Sequence, residues 1–233
     1  MILAGHQPEY LPYIGFFNKL MLCDEFVLVD HIQFNKKSWQ NRNRIRTAQG
    51  ELLLTVPVLT KGCFDQPISE VMINNHDNWR RKNWQSILLN YHKAPFFKEH
   101  EPFFAELYSR DWDLLAQLNE ALIKYLAKQL GIEKKMSRSS ELNVNGQKTE
   151  LLIDLCKKMK ADAYLSGAGG REYVDDQRLK NEGVESRYTE FKHPVYRQLH
   201  EPFLSNMSVI DLLFNHGNER SREIILNSGG ISQ

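Results

Sequence analysis

The first thirty residues combine two kinds of apolar segment, and this pattern restricts the fold more than any other feature of the chain. Residues 2–4 are typical of a short buried strand, and in residues 13–23 the apolar side chains recur three or four positions apart, as on one face of a helix. Residues 25–30 predict a second buried strand. A strand, a helix and a strand in so short a stretch indicate a parallel crossover unit.

The last third of the chain shows the same alternation. Residues 148–160 predict a helix, residues 162–167 a strand, residues 170–183 a helix and residues 184–191 a strand. Alternating strands and helices at both ends of the chain favour a parallel sheet that is covered by helices on both faces.

The segments between these two parts differ from them. Residues 77–131 carry apolar and aromatic side chains at helical spacing, with Pro95 and Pro102 as expected breaks. Before them, Gln49 and Gly50 separate an alternating run from an apolar run, which predicts a β-hairpin. Residues 68–73 are a candidate for a further strand.

We therefore predict an α/β fold with a mostly parallel, Rossmann-like sheet, helices on both faces, a β-hairpin and a helical middle insertion. The expected parts are residues 1–76, an N-terminal α/β part with the hairpin, and residues 77–135, the helical part. Residues 136–228 then complete the same sheet, and residues 229–233 form a flexible tail.

Composition argues against several classes of partner. Lys and Arg total 30 and Asp and Glu total 29, so there is no global field to hold a nucleic acid or an anionic membrane. No segment has the roughly 18 consecutive apolar residues of a membrane span, and the short N-terminal apolar run does not resemble a signal peptide. These features, with an odd number of cysteines, predict a cytoplasmic protein without membrane insertion.

The cysteines and histidines have no metal-ligand spacing, and no metal site is expected. Cys23 and Cys156 fall on apolar helical positions and are expected in the core. Cys63 lies in a loop and is a weak candidate for a nucleophile.

The turn after the first strand carries the first candidate site. Pro8 and Pro12 restrict the backbone on either side of them and predict a stiff loop that holds His6 in one orientation. A histidine at the carboxyl end of a parallel strand is well placed for proton transfer near neutral pH. The alternative is that His6 only satisfies a backbone carbonyl. Nearby candidates for substrate binding are Gln7, Tyr10 and Lys19, although Lys19 is equally well explained as a surface lysine.

The segment 30–46 is the most basic in the sequence, with six basic residues counting His31. If it forms a strand, side chains 37, 39, 41 and 43 share one face and side chains 38, 40, 42 and 44 the other. Arginine binds phosphate through two parallel hydrogen bonds, and tryptophan stacks on a base or a sugar. The segment therefore suits a nucleotide-linked ligand. The alternatives are a solvated hairpin and single-stranded RNA binding, which the balanced charge disfavours. The candidate binding residues are Lys36, Trp39, Asn41, Arg42 and Arg44.

A glycine-rich turn between a strand and a helix is the third candidate. Ser166, Gly167, Gly169 and Gly170 place backbone N–H groups where a helix begins, a position that binds anions. The spacing is neither that of the dinucleotide fingerprint nor that of a Walker loop. Tight turning alone is the alternative explanation for the glycines.

Taken together, the strings HQPEYLPYIGFFNKL, DEFVLVDHIQFNKKSWQNRNRIRT, LTVPV and YLSGAGGREYVDD resemble the WbqC-like family of bacterial proteins. The resemblance implies a role in surface polysaccharide synthesis, particularly of O-antigen, where a member has been proposed to transfer glycine onto a sugar. The opening pattern is also similar to nucleotidylyltransferase-type folds, although the second histidine of that signature is absent. The positions that match the family are His6, Gln7, Pro8, Tyr10, Pro12, Gly15, Trp39, Asn41, Arg42, Ser166, Gly167, Gly170 and Tyr173.

The leading hypothesis is a transferase that moves an acyl or aminoacyl group to the amine of an amino sugar carried on a nucleotide. His6 and Ser166 are its catalytic candidates, with His6 as the base that accepts the amine proton and Arg42 as a diphosphate ligand. The acyl donor stays open among a coenzyme A thioester, a carrier-protein thioester and an aminoacyl adenylate. The alternatives are a non-catalytic module that binds a nucleotide sugar or a partner, and an ATP-using enzyme. The hypothesis requires that His6, the arginine-bearing segment and the glycine turn converge.

Overall fold

A six-stranded, mostly parallel sheet forms the centre of the protein, for which we analysed a computed structural model that describes residues 1–60, 62 and 65–232. The strands lie in the order β5-β2-β1-β6-β7-β8, and only the β7–β8 pair is antiparallel. A separate two-stranded antiparallel sheet pairs β3 with β4. The strands are β1 (Ile2–His6), β2 (Glu25–Leu28), β3 (Arg42–Thr47), β4 (Gly50–Thr55), β5 (Lys135–Arg138), β6 (Ala163–Ser166), β7 (Glu185–Phe191) and β8 (Gly229–Ser232).

Seven α-helices occur in the described residues, and three of them fill the middle of the chain. They are α1 (Ile14–Met21), α2 (Trp79–Tyr91), α3 (Phe97–Ser109), α4 (Leu115–Gln129), α5 (Lys148–Met159), α6 (Asp176–Asn181) and α7 (Val209–Leu226). Two short 3₁₀ helices cover Ile68–Glu70 and Ala168–Glu172. Helix α7 is interrupted at Gly217, whose φ of 73° is unfavourable for other residues.

The sheet has a separate apolar core on each face because successive strand side chains point in opposite directions. Leu3 and Val27 lie in one core with residues of α5 and α6, such as Leu155. Ala4, which follows Leu3, and Phe26, which precedes Val27, lie in the other core. That second core also contains residues of α1, of α7 and of the helical middle. The predicted α/β fold with helices on both faces and a β-hairpin is therefore confirmed.

Several predicted elements differ from those observed. Pro102 lies inside α3 instead of ending a helix, and the loss of one backbone hydrogen bond is tolerated where Phe104 and Leu107 pack into the core. Residues 68–73 form a 3₁₀ helix and isolated bridges instead of a strand. The predicted helix 170–183 is divided between the 3₁₀ helix and α6.

The C-terminal residues are the clearest correction. We predicted a flexible tail at residues 229–233, but Gly229–Ser232 form β8, which pairs with β7 from Phe191 to Tyr188. A Cβ on Gly229 would lie 2.2 Å from the carbonyl oxygen of Glu190, so glycine is needed for this close pairing. Gly229, which in the sequence suggested a flexible tail, therefore allows β8 to pair closely with β7.

Two further observations concern the predicted exclusions. Cys23 and Cys156 are buried, as expected, whereas Cys63 lies outside the described residues. Over the part of the chain that the structure describes, no helix has both the length and the apolar character needed to cross a membrane.

Candidate functional site

The order in which the chain adds strands to the sheet reverses at the centre of the sheet, between β1 and β6. From β1 the chain passes through α1 to β2 on one side, and from α5 it enters β6 on the other side of β1. Ligands of open α/β sheets bind at the carboxyl ends of strands at such a switch point. Ala4 pairs with Leu165 in parallel register, the last pair between these two strands, so β1 ends at His6 and β6 ends at Ser166 at the same edge of the sheet.

His6 is held as a neutral imidazole, and within the described residues its second nitrogen has no hydrogen-bond partner. Its Nδ1 lies 3.0 Å from the carbonyl oxygen of Gln7, and because a carbonyl only accepts, Nδ1 must carry the proton. About a third of the side chain is exposed. Burial of the ring and the charge of Lys19 lower the pKa of His6 to about 4. His6 Nε2 therefore presents a lone pair at neutral pH.

Glu9, which our sequence analysis did not single out, lies beside this imidazole. Its Oε1 is 3.9 Å from His6 Nδ1, and the residue is only 8% exposed. Burial raises the pKa of Glu9 to about 7, although the Lys19 charge acts in the opposite direction. A carboxyl group with such a pKa changes its charge near neutral pH, which is characteristic of functional sites.

Lys19 does not have the role that we expected of it. We predicted an anion-binding or surface lysine, but the side chain is 7% exposed and its Nζ donates to the carbonyl oxygen of Gly5 at 2.7 Å. Burial lowers the pKa of Lys19 to about 8. The side chain extends from α1 to the end of β1, where it supports the His6 loop from inside.

Amide side chains fix the backbone of the loop that follows His6. Asn43 Nδ2 donates to the Leu11 carbonyl at 2.8 Å, and Asn119 Nδ2 donates to the Pro8 carbonyl at 3.0 Å and to the Gln40 carbonyl at 2.7 Å. Gln40 Nε2 donates to Gln7 Oε1 at 2.5 Å. The loop and the basic segment are thus joined directly, which is part of the convergence that the hypothesis requires.

The basic segment is organised differently from our prediction, because β3 begins only at Arg42 and residues 35–40 are not a strand. The predicted separation of Trp39 from Arg44 onto opposite faces is wrong: the Arg44 guanidinium lies 5.0 Å from the Trp39 ring centroid. Arg44 also pairs with Glu51 at 3.1 Å, and the Arg42 guanidinium donates to the Lys37 carbonyl. Lys36 and Trp39 are exposed.

Two candidates for substrate binding belong to the core instead. Tyr10 is fully buried, and its hydroxyl is hydrogen-bonded to that of Tyr108 and accepts from Asn83 Nδ2 at 3.1 Å. Asn41 is 8% exposed and donates to the Val56 carbonyl at 2.8 Å, so it joins the hairpin to the next segment. The Tyr10 hydroxyl and the Asn41 amide nitrogen thus bond buried partners of the core, while the buried Asn41 Oδ1 has no partner in the described part of the chain.

The glycine turn closes over the end of β6. Gly170 N–H donates to the Gly167 carbonyl at 2.8 Å, and a Cβ on Gly170 would lie 2.7 Å from the Cβ of Ser166. Ser166 is accordingly buried beneath the turn, whereas a Cβ on Gly169 would meet open space. Tyr173, at the end of the 3₁₀ helix, is 52% exposed. The turn follows β6, which pairs with β1, so it lies at the same edge of the sheet as His6.

Sequence reasoning missed Glu9, Gln40, Asn43 and Asn119 as residues that shape the site. Glu9 lies between the two prolines that we used to predict a stiff loop, and an acidic residue in such a confined loop was the available signal. The amides gave no such signal because their partners, the Gln7 side chain and the backbone carbonyls of residues 8, 11 and 40, are far away in the sequence.

A doubly wound sheet with a neutral histidine, a buried carboxyl group and a glycine turn at its switch point is typical of α/β proteins that bind a small ligand at the strand ends. The chain belongs to the WbqC-like protein family, whose model matches residues 7–223. It is 36% identical over 217 residues to the uncharacterized protein Rv1507c of Mycobacterium tuberculosis, a match that covers 91% of this chain and 93% of that protein. No solved structure matches the chain.

Proposed function

We propose that this protein is a transferase of surface polysaccharide synthesis that moves an acyl or aminoacyl group, such as glycyl, to the amine of a nucleotide-linked amino sugar. The observation that carries this proposal is the uncharged His6 at the switch point, whose tautomer is fixed by the Gln7 carbonyl. The fold and the family membership are compatible with this chemistry and with others, so the proposed reaction rests on the side chains at the switch point.

In this mechanism the neutral amine attacks the acyl carbon, an N–C bond forms, and the C–S or C–O bond to the donor breaks. His6 Nε2 accepts the amine proton, which then passes to the departing thiolate or phosphate. The imidazolium formed at His6 is stabilised by the Glu9 carboxylate, which lies 3.9 Å from Nδ1. Since the pKa of Glu9 is about 7, the rate is expected to rise with pH through this region.

The rest of the site binds charge. The Gly170 N–H is already donated to the Gly167 carbonyl, so the N–H groups of Ala168 and Gly169 are the ones assigned to an oxyanion or to a phosphate of the donor, and Tyr173 borders that turn. Arg42, Arg44 and Lys36 hold the diphosphate of the sugar nucleotide, and Trp39 stacks on its base or sugar. This assignment is supported by the exposure of Lys36 and Trp39 and by the links between the basic segment and the His6 loop.

Thermal-shift measurements with nucleotide sugars, coenzyme A thioesters and ATP, followed by a product assay, test the proposal. A ligand at about 100 times its dissociation constant adds roughly 2.7 kcal/mol of stability. We expect a nucleotide amino sugar to bind, and His6→Gln to lower turnover about 10²-fold or more with little change in binding. Binding without turnover by any donor favours the non-catalytic module, and release of pyrophosphate from ATP favours the nucleotide-activating enzyme. Either result contradicts the proposed transfer.

A further inference from the structure

A second cluster of polar side chains lies at the same edge of the sheet, after β2 and β5. Its centre is Asp30, which is 1% exposed and follows the pairing of Leu28 with Arg138. The Asp30 carboxylate accepts from the Ser139 hydroxyl at 3.0 Å, from the Ser140 N–H at 2.9 Å and from the Ser140 hydroxyl at 2.8 Å. Three donors from the two residues that follow β5 therefore bond the Asp30 carboxylate.

These contacts determine which nitrogen of His31 carries a proton. Ser139 Oγ has a single hydrogen, which is donated to Asp30, and the same oxygen accepts from the backbone N–H of Asp30 at 2.9 Å and of His31 at 3.3 Å. His31 Nδ1 lies 2.6 Å from the same oxygen, so it must be the donor in this contact. The series Asp30, Ser139, His31 thus fixes the Nδ1–H tautomer of neutral His31 and leaves Nε2 as an acceptor. Burial lowers the pKa of His31, which favours the neutral ring.

His31 borders a cavity of about 400 Å³. Ser69 and Ser140 contribute hydroxyl groups, and Asn143 and Asn145 contribute amides to its wall. Glu70 adds a carboxylate, and none of the lining residues, all of them in the described part of the chain, is a lysine or an arginine. The lining therefore disfavours a phosphate or carboxylate ligand and suits one that offers several hydroxyl groups.

We infer that this cavity is a binding site for a sugar ring, with one sugar hydroxyl donating to His31 Nε2. The amides and hydroxyls of the wall then exchange hydrogen bonds with the other hydroxyl groups, and the apolar side chains of Pro67 and Val144 cover a ring face. Binding at this cavity goes beyond the transfer proposed at His6 and does not depend on it, since every measurement below concerns binding alone.

The first test is the tautomer of His31 in the unliganded protein. Long-range proton–nitrogen NMR spectra of the folded chain distinguish Nδ1–H from Nε2–H rings. We expect His31 in the Nδ1–H form, and Ser139→Ala to weaken that preference. Nε2–H in the wild-type protein would refute the assignment of Nε2 as the acceptor.

The second test is titration with glucose, galactose, glucosamine and N-acetylglucosamine at tens of millimolar, with inorganic phosphate as the anionic comparison. We expect at least one sugar, and not phosphate, to shift the ring signals of His31. His31→Phe should weaken its binding about tenfold, and His31→Gln, which keeps an acceptor, should weaken it less. His92→Phe is the matched control, since His92 is exposed and its Nδ1 lies 3.1 Å from the Leu88 carbonyl of its own helix.

The outcomes are decisive in both directions. The inference is overturned if none of the four sugars moves the His31 signals, if phosphate moves them as much as the sugars do, or if His31→Phe binds as the wild type does. Because His31→Phe and His31→Gln are compared after their folding has been verified by circular dichroism, a loss of binding in a folded variant is assigned to the ring.

Discussion

Nδ1 of His6 lies 3.9 Å from Oε1 of Glu9. The histidine is uncharged at neutral pH, while the carboxyl group has a pKa of about 7. His6 is the last residue of β1, and Glu9 lies in the loop that follows. Amides that are remote in sequence hold this loop in place, so the distance between the two groups depends on the fold of the whole chain. The loop therefore combines a proton acceptor with a group that changes its charge near neutral pH.

The raised pKa of Glu9 predicts a pH-dependent stability. Between its ordinary pKa of 4.5 and about 7, the unfolded chain releases a proton that the native protein keeps, so the native state loses stability as the pH rises. Glu9→Gln removes this loss. We expect the variant to gain stability relative to the wild type from pH 5 to pH 8, by about 3 kcal/mol at most, in urea unfolding at each pH.

Glu133→Gln, at an exposed position, is the matched control for that experiment. A difference between Glu9→Gln and the wild type that stays constant over the pH range would show that Glu9 is not kept protonated by its surroundings.

The glycine turn provides a pair of neighbouring substitutions with opposite expectations. Alanine at Gly170 would set its Cβ 2.7 Å from the Cβ of buried Ser166, so the turn or the end of β6 must move. Alanine at Gly169 meets open space. We expect Gly170→Ala to lower the free energy of unfolding by about 1–3 kcal/mol and Gly169→Ala to change it by less than about 0.5 kcal/mol.

Chemical denaturation of both variants measures this difference. Equal stabilities would mean that the turn does not close on Ser166 as described.

Asn119 is expected to be a major determinant of the His6 loop, although it lies far from it in sequence. Its Nδ2 is the donor to the Pro8 and Gln40 carbonyls, and the side chain is fully buried. Asn119→Ala leaves both carbonyls without this partner, and we expect a loss of about 2–3 kcal/mol in the free energy of unfolding. Hydrogen exchange should also become faster in the loop that follows His6.

Asn181→Ala serves as the comparison, since Asn181 is exposed and its amide accepts only from Gln177 of the same helix. A stability loss at Asn119 no greater than that at Asn181 would contradict the assigned role of Asn119.

The parallel sheet was predictable because its signal is local. Apolar runs of strand length alternate with helical periodicity in residues 2–30 and 148–191, and the crossover rule then leaves few topologies. Strand β5 was not anticipated, since Lys135–Arg138 contains only one apolar residue and pairs at the sheet edge. The formation of β5 depends on its pairing with β2, and the sequence periodicity of residues 135–138 does not identify that partner strand.

The candidate site was predictable in position but not in detail. The switch point sets the ends of β1 and β6 at the same edge of the sheet, as strand order requires, whereas the pKa of Glu9 depends on burial by residues that are remote in sequence. In the basic segment, Gln40 and Asn43 donate to Gln7 and Leu11 of the loop instead of facing a ligand. A single sequence does not distinguish an amide that binds backbone from one that binds a substrate.

Replacement by phenylalanine distinguishes the buried Tyr10, whose hydroxyl belongs to the core, from the exposed Tyr173. Tyr10→Phe removes a buried hydroxyl from the cluster with Tyr108 and Asn83, and each of these partners then lacks a hydrogen bond. We expect a loss of about 1–3 kcal/mol in the free energy of unfolding. Tyr173 is 52% exposed, so Tyr173→Phe should change stability by less than about 0.5 kcal/mol in the same denaturation experiment. If Tyr10→Phe were as stable as the wild type, the hydroxyl of Tyr10 would have no measurable structural role.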